Sequence, residues 1–230
     1  MRQLFTILTL LIINVTVFGQ YDIGLKANGG LSKISDSFTA PNTTTTVRFA
    51  PSGQFGFFYN LFISKKSIIG AELLFSQING RKHENFPLHD SLGNPIYVSL
   101  VHNYYRHISY IGLPIQYGLK LRKLTINIGL QASFSFVNKE RDEFYASYPK
   151  STSHTTSNTY SKLYIDNYDF GARAGMVFNF TKKFAIDATY YYGINNIYKN
   201  NDYIWTVQQM TIGLQYKFFT TGQTNETENK

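Results

Sequence analysis

The stretch "LTINIGLQASFSF", Leu124 to Phe136, alternates without a break. Leu124, Ile126, Ile128, Leu130, Ala132, Phe134 and Phe136 fall on one face of an extended chain. Thr125, Asn127, Gly129, Gln131, Ser133 and Ser135 fall on the other. Period two marks a strand with unlike faces, because successive side chains point to opposite sides. The run also reaches the roughly 9–11 residues that a tilted strand needs to cross a bilayer.

Seven further segments follow the same rule. Their apolar positions run Ile23–Leu31, Phe55–Ile63, Ile69–Phe75, Ile111–Leu119, Phe170–Phe180, Phe184–Ile194 and Met210–Phe218. No segment repeats apolar residues at helical spacing. The fold class expected is therefore all-β, an eight-stranded antiparallel up-and-down transmembrane β-barrel. Pro114 interrupts one segment and predicts a bulge or local break, since proline has no ladder donor.

Alternation alone does not say which face is inside. A soluble lipocalin-like barrel turns its apolar face inward, whereas a membrane barrel turns it to lipid. Three features favour the membrane barrel. The polar face is rich in Gly and in single charges of both signs, Lys26, Glu72, Arg173, Asp187 and Lys217, which suits a narrow lumen. Phe and Tyr end the apolar faces, as girdles do. The connections are sorted by length. "FISKKSI" (Phe62–Ile68), "LKLRKLT" (Leu119–Thr125) and "NFTKKFA" (Asn179–Ala185) are short, and they alternate with the polar segments Lys33–Pro51, Gln77–His102, Asn138–Asn167 and Asn195–Gln208. Short periplasmic turns with long outer loops give that pattern.

The N-terminus, "MRQLFTILTLLIINVTVFGQY", has one cation, a short apolar run and small residues before Gln20, the form of a signal peptide. The organisation expected is a signal peptide over 1–19, a barrel over 20–219 and a polar tail over 220–230. Cysteine is absent, so export brings neither disulfides nor a lipid anchor. The net charge is +8, yet no basic block exists, and export argues against nucleic acid as the partner.

"YIGLPIQYGLKLRKLTINIGLQASF" (Tyr110–Phe134), "DFGARAGMVFNFTKKFAIDATYYYGINNI" (Asp169–Ile197) and "MTIGLQYKFF" (Met210–Phe219) resemble the PorT-like outer-membrane β-barrel family of Bacteroidota. The likeness spans the whole mature chain. It implies an outer-membrane location, contact with outer-membrane lipid and insertion by the barrel-assembly machinery. Thr211, Gly213, Tyr216 and Phe218 resemble the last-strand signal that this machinery reads; any lipid-facing strand with a glycine looks similar. Some relatives serve protein secretion, so an extracellular or secretion partner acting through the long loops is the interaction expected.

Chemistry is sparse. His83, His89, His102, His107 and His154 show no metal-ligand spacing, and neither a metal nor a cofactor is implied. His107 and Ser109 share one strand face, as a base and a nucleophile would in a lipid A deacylase, or as any polar strand end would. No carboxylate is recognisable as a third member. The charges Lys26, Glu72, Arg173, Asp187 and Lys217 read as a self-paired plug or as a conduction path; an eight-stranded interior is narrow enough to be filled by side chains. Lys65, Lys66, Arg122, Lys123, Lys182 and Lys183 mark the short turns, near inner-leaflet phosphates or simply in water. The function expected is a non-enzymatic outer-membrane barrel with a structural, surface-binding or secretion-associated role, with no catalytic residue. The alternative is a lipid-modifying enzyme using His107 and Ser109.

Overall fold

The computed structural model describes residues 20–37, 44–89, 95–148, 151–199 and 203–221. The expected signal peptide, 1–19, and the tail from 222 onward lie outside the described residues. Among the described residues nine strands occur: β1 (Gln20–Asp36), β2 (Thr44–Phe62), β3 (Ser67–His89), β4 (Pro95–Leu121), β5 (Leu124–Tyr148), β6 (Ser151–Ser161), β7 (Tyr168–Asn179), β8 (Phe184–Gly193) and β9 (Trp205–Thr220). The order β4-β3-β2-β1-β9-β8-β7-β5 closes through a β4–β5 pairing. Eight antiparallel strands thus form a ring, and β6 lies outside it, paired to Glu140–Tyr148 of β5.

Closure removes the sheet edges, and the faces are inverted relative to a soluble barrel. Phe55, Phe57, Leu73, Leu113, Ile115, Leu130 and Ile212 are exposed, and Ile128 is 67% exposed. Lys26, Asn28, Gln54, Glu72, Gln116, Arg173, Asp187 and Gln215 are buried. A continuous apolar belt of this kind is stable in hydrocarbon and not in water, which rules out the lipocalin arrangement. The protein is a transmembrane β-barrel.

The belt has an aromatic girdle at its short-turn end. Tyr21 stacks with Tyr59 at 5.8 Å and with Phe219 at 6.5 Å, and Phe184 lies 5.0 Å from Tyr216. Both ends of the ring meet here, where the Thr221 N–H donates to the Tyr21 carbonyl at 2.9 Å.

The short turns have individual causes. Arg122 is the only described non-glycine residue with positive φ, 55°, in the tightest hairpin, a geometry that two-residue hairpins require. In "SKKS" the Ser64 hydroxyl accepts from the Ser67 N–H at 3.0 Å. In "TKKF" the Thr181 hydroxyl accepts from the Phe184 N–H at 2.8 Å. Each hydroxyl stands in for a backbone turn partner, and the intervening lysines are left exposed.

Three of the expected loops are largely strand. β3, β4 and β5 run 23, 27 and 25 residues, far beyond what a bilayer needs, while β7 and β8 have only 12 and 10. The wall is therefore tall on one side and low on the other, and β6 extends the tall side. Pro114 produces no register shift. The β3–β4 ladder passes from Ala71↔Ile115 to Leu74↔Gly112 with the pairs between them unmade, a local break where the proline donor is missing. A register shift falls instead between Ser109 and Tyr110, where the extra residue, Phe136, belongs to β5.

Above mid-height the lumen turns apolar. Ile34, Ile78, Ile108, Tyr110, Tyr191, Trp205 and Val207 form one buried cluster, joined by Leu163, Ile165 and Ile197 from the connections over the low wall. Backbone bonds stitch these connections into a cap: the Asp166 N–H donates to the Ile197 carbonyl at 2.7 Å, and the Ile197 N–H to the Trp205 carbonyl at 3.0 Å. Each buried Leu or Ile contributes about 1.5–3 kcal/mol.

Candidate functional site

Period two places Lys26 on β1, Glu72 on β3, Arg173 on β7 and Asp187 on β8 in one lumen layer. Lys26 Nζ lies 3.1 Å from Glu72 Oε1 and 2.8 Å from Asp187 Oδ2. Arg173 Nη2 lies 3.1 Å from Glu72 Oε2, and its Nη1 donates to Gln131 Oε1 at 2.8 Å. Amides satisfy further carboxylate lone pairs: Gln116 donates to Glu72 at 2.9 Å, Asn28 to Asp187 at 2.7 Å and Gln215 to Asp187 at 2.6 Å. Two cations and two anions cancel. Lys217 sits apart, nearer the short-turn end, paired with Asp22 at 2.8 Å. Below this layer a vestibule of about 340 Å³ opens at the short-turn end, lined partly by Arg122, Lys123 and Lys182. Lys65, Lys66 and Lys183 are exposed on their turns.

A second ion layer above the apolar cluster was not read from the sequence. Asp36 pairs with Lys82 at 2.9 Å and with Arg106 at 2.8 Å; Lys82 also pairs with Glu84 at 2.6 Å, and Arg106 with Glu140 at 2.8 Å. The Arg106 guanidinium covers the Trp205 ring at 3.7 Å. Asp36, Lys82, Glu84 and Glu140 lie in segments expected to be loops. Asp36, Lys82, Glu84 and Arg106 continue the inward parity of β1, β3 and β4, whereas β5 turns Glu140 inward only by changing parity at the register shift beside Phe136. Beside them, burial and then the neighbouring Glu140 raise Asp142 above the usual carboxylate range.

On the outer face of β3–β5, beyond the belt, a groove of about 540 Å³ is lined by Arg81, Tyr105, His107, Lys139, Arg141 and Tyr160 among others. At its edge Ser109 Oγ lies 3.3 Å from His107 Nε2, and His107 Nδ1 lies 2.8 Å from Asn79 Oδ1. A proton on Nδ1 donated to Asn79 leaves Nε2 as acceptor for the serine hydroxyl. The third member absent from the sequence reading is thus available as an amide. Ser109 itself is buried, 6% exposed, and does not line the groove. Among the described residues no group of three or more His, Asp or Glu is arranged to hold a metal.

The four last-strand residues divide by face. Tyr216 and Phe218 are exposed on the lipid side. Thr211 points into the lumen, accepting from Gln54 at 3.0 Å and sharing a bond with Thr189 at 2.8 Å. Gly213 lies between β1 and β8, where a Cβ would overlap the Ala27 carbonyl oxygen.

Residues 18–199 match the family model described as an outer membrane protein beta-barrel domain, and the chain belongs to that family. Among solved structures it is similar to Ail, the attachment invasion locus protein of Yersinia pestis, at 15% identity over 87% of this chain and 99% of that one, TM-score 0.41. It is also similar to Neisserial surface protein A (14%, 85% and 97%, TM-score 0.43) and to OprG of Pseudomonas aeruginosa (14%, 87% and 96%, TM-score 0.40). No curated protein matches. The barrel is a protein of the cell outer membrane.

Proposed function

We propose that this is a non-enzymatic outer-membrane barrel, within the PorT-like family of Bacteroidota, whose tall strands present a binding surface outside the cell. The short basic turns face the periplasm, and residues 1–19 are removed on export. The observation that carries this reading is the lumen: two ion-pair layers and an apolar cluster fill it, so the molecule offers surfaces and not a passage. β3, β4 and β5 raise those surfaces well above the bilayer. Binding partners act there, with secretion components among the candidates.

The chain has no cysteine, so single introduced thiols report orientation cleanly. Thr159→Cys on β6 is expected to react with a membrane-impermeant maleimide on intact cells, and Lys182→Cys only after the outer membrane is breached. Labelling of Lys182→Cys alone on intact cells overturns the orientation.

The Ser109–His107–Asn79 arrangement favours one second reading, hydrolysis of a lipid acyl ester with Ser109 as nucleophile, His107 as base and Asn79 positioning the ring. Mass spectra of outer-membrane lipid decide it. Unchanged acylation in cells carrying Ser109→Ala removes this reading; gain of an acyl chain replaces the non-enzymatic one.

A further inference from the structure

The outer face of β3–β5 carries cations that the ion-pair layers do not use. Cross-strand register sets them in two rows. Asn79, His107 and Lys139 are partners in the first; Arg81, Tyr105 and Arg141 are partners in the second. Arg48 on β2 lies opposite Arg81, and Tyr160 on β6 opposite Arg141. The Arg81 and Arg141 guanidinium groups stand 5.7 Å and 4.9 Å from the Tyr105 ring. Arg141 has Glu143 beside it. Among the described residues, no carboxylate pairs with Arg48, Arg81 or Lys139. Like charges opposite one another destabilise a strand pair, so a bridging anion would relieve this face.

Position narrows the anion. Asn79 lies four residues beyond Phe75, the last apolar belt residue of β3, about 13 Å of strand. At a tilt of about 40° that is roughly 10 Å of height, the level of lipid headgroups. The groove is too large for one phosphate, at about 540 Å³, and Tyr105 and Tyr160 offer faces for a sugar ring. Below it, Ile111 and Phe136 are exposed where acyl chains would run.

We propose that this groove seats the phosphorylated sugar headgroup of an outer-leaflet glycolipid, a proposal that rests on the orientation given above. The test uses the full barrel in detergent micelles, where orientation plays no part, titrated with bisphosphorylated lipid A and read by native mass spectrometry. The wild type is expected to retain one lipid. Arg81→Gln with Lys139→Gln is expected to weaken retention roughly 25-fold, at about 1 kcal/mol per cation. Arg122→Gln with Lys123→Gln at the opposite end is expected to change it less than about twofold. Lipid A stripped of phosphate should bind as weakly as the rim variant. Equal losses in both variant pairs, or retention unchanged by the rim pair, overturn the proposal. Complete displacement by millimolar inorganic phosphate overturns it too, by marking a free-anion site. Heat-modifiable migration verifies folding; if the rim pair fails to fold, Lys139→Glu alone must still lower retention. Intact binding with reversed thiol labelling would move the lipid to the inner leaflet and overturn the glycolipid assignment.

Discussion

The Lys26 side chain is fully shielded from solvent, with a carboxylate on either side of its ammonium. Removing one member of such a buried group strands the others, which costs about 3–5 kcal/mol. Lys26→Met is therefore expected to lower the unfolding free energy by about that much, read from urea titration of the folded, fast-migrating form in detergent. A loss below about 1 kcal/mol would mean that the pairs are solvated. Gly213 raises a different question, because the same residue lies in the stretch that resembles a last-strand signal and in the β1–β9 seam. Gly213→Ala is expected to block folding into pure lipid vesicles, where no assembly machinery exists; normal folding there with failure only in cells would assign the glycine to recognition. The polar inward face was legible at this scale because Lys26, Glu72, Arg173 and Asp187 alternate with apolar neighbours. Which charge meets which was not, since pairing depends on strand register around the ring. Phe58 shows the same limit: it is a large apolar side chain on the inward face, 2% exposed, with its ring lying against Gly24.

The strands that cross the bilayer were legible as elements, and their continuations were not. Within lipid the two faces differ in hydropathy, so period two is visible. Above the bilayer the outward face meets water and the inward face holds ion pairs, so both are polar. Asn79 to Asn85 illustrates this: Asn79, Arg81 and His83 alternate with Gly80, Lys82 and Glu84, and no contrast survives. β6, within "STSHTTSNTYS", is hidden for the same reason. The cap over the low wall is likewise a product of distant contacts, with Ile165 bridged to Tyr198. Because Ile197 is fully buried there, Ile197→Ala removes packing worth about 2–5 kcal/mol. Hydrogen exchange is expected to accelerate at Asp166 and Ile197 while β7 amides stay protected. Unchanged exchange at Asp166 would mean that the cap is not held by this packing.

Across the whole molecule, the lumen is layered along its axis. An ion pair and a vestibule lie at the short-turn end, followed by a neutral charge layer, an apolar cluster beneath a two-segment cap, and a second charge layer level with the rim. The apolar cluster opposes a continuous water column, and an eight-stranded ring has little room to spare. On the proposed reading the side chains that stiffen the wall also close it, and the tall β3–β5 face is the part offered to partners and lipid. Purified protein in planar bilayers provides the most direct test of this closed barrel. Current is expected to stay at baseline under an applied potential of either sign. Stable, ion-selective conductance steps would contradict it.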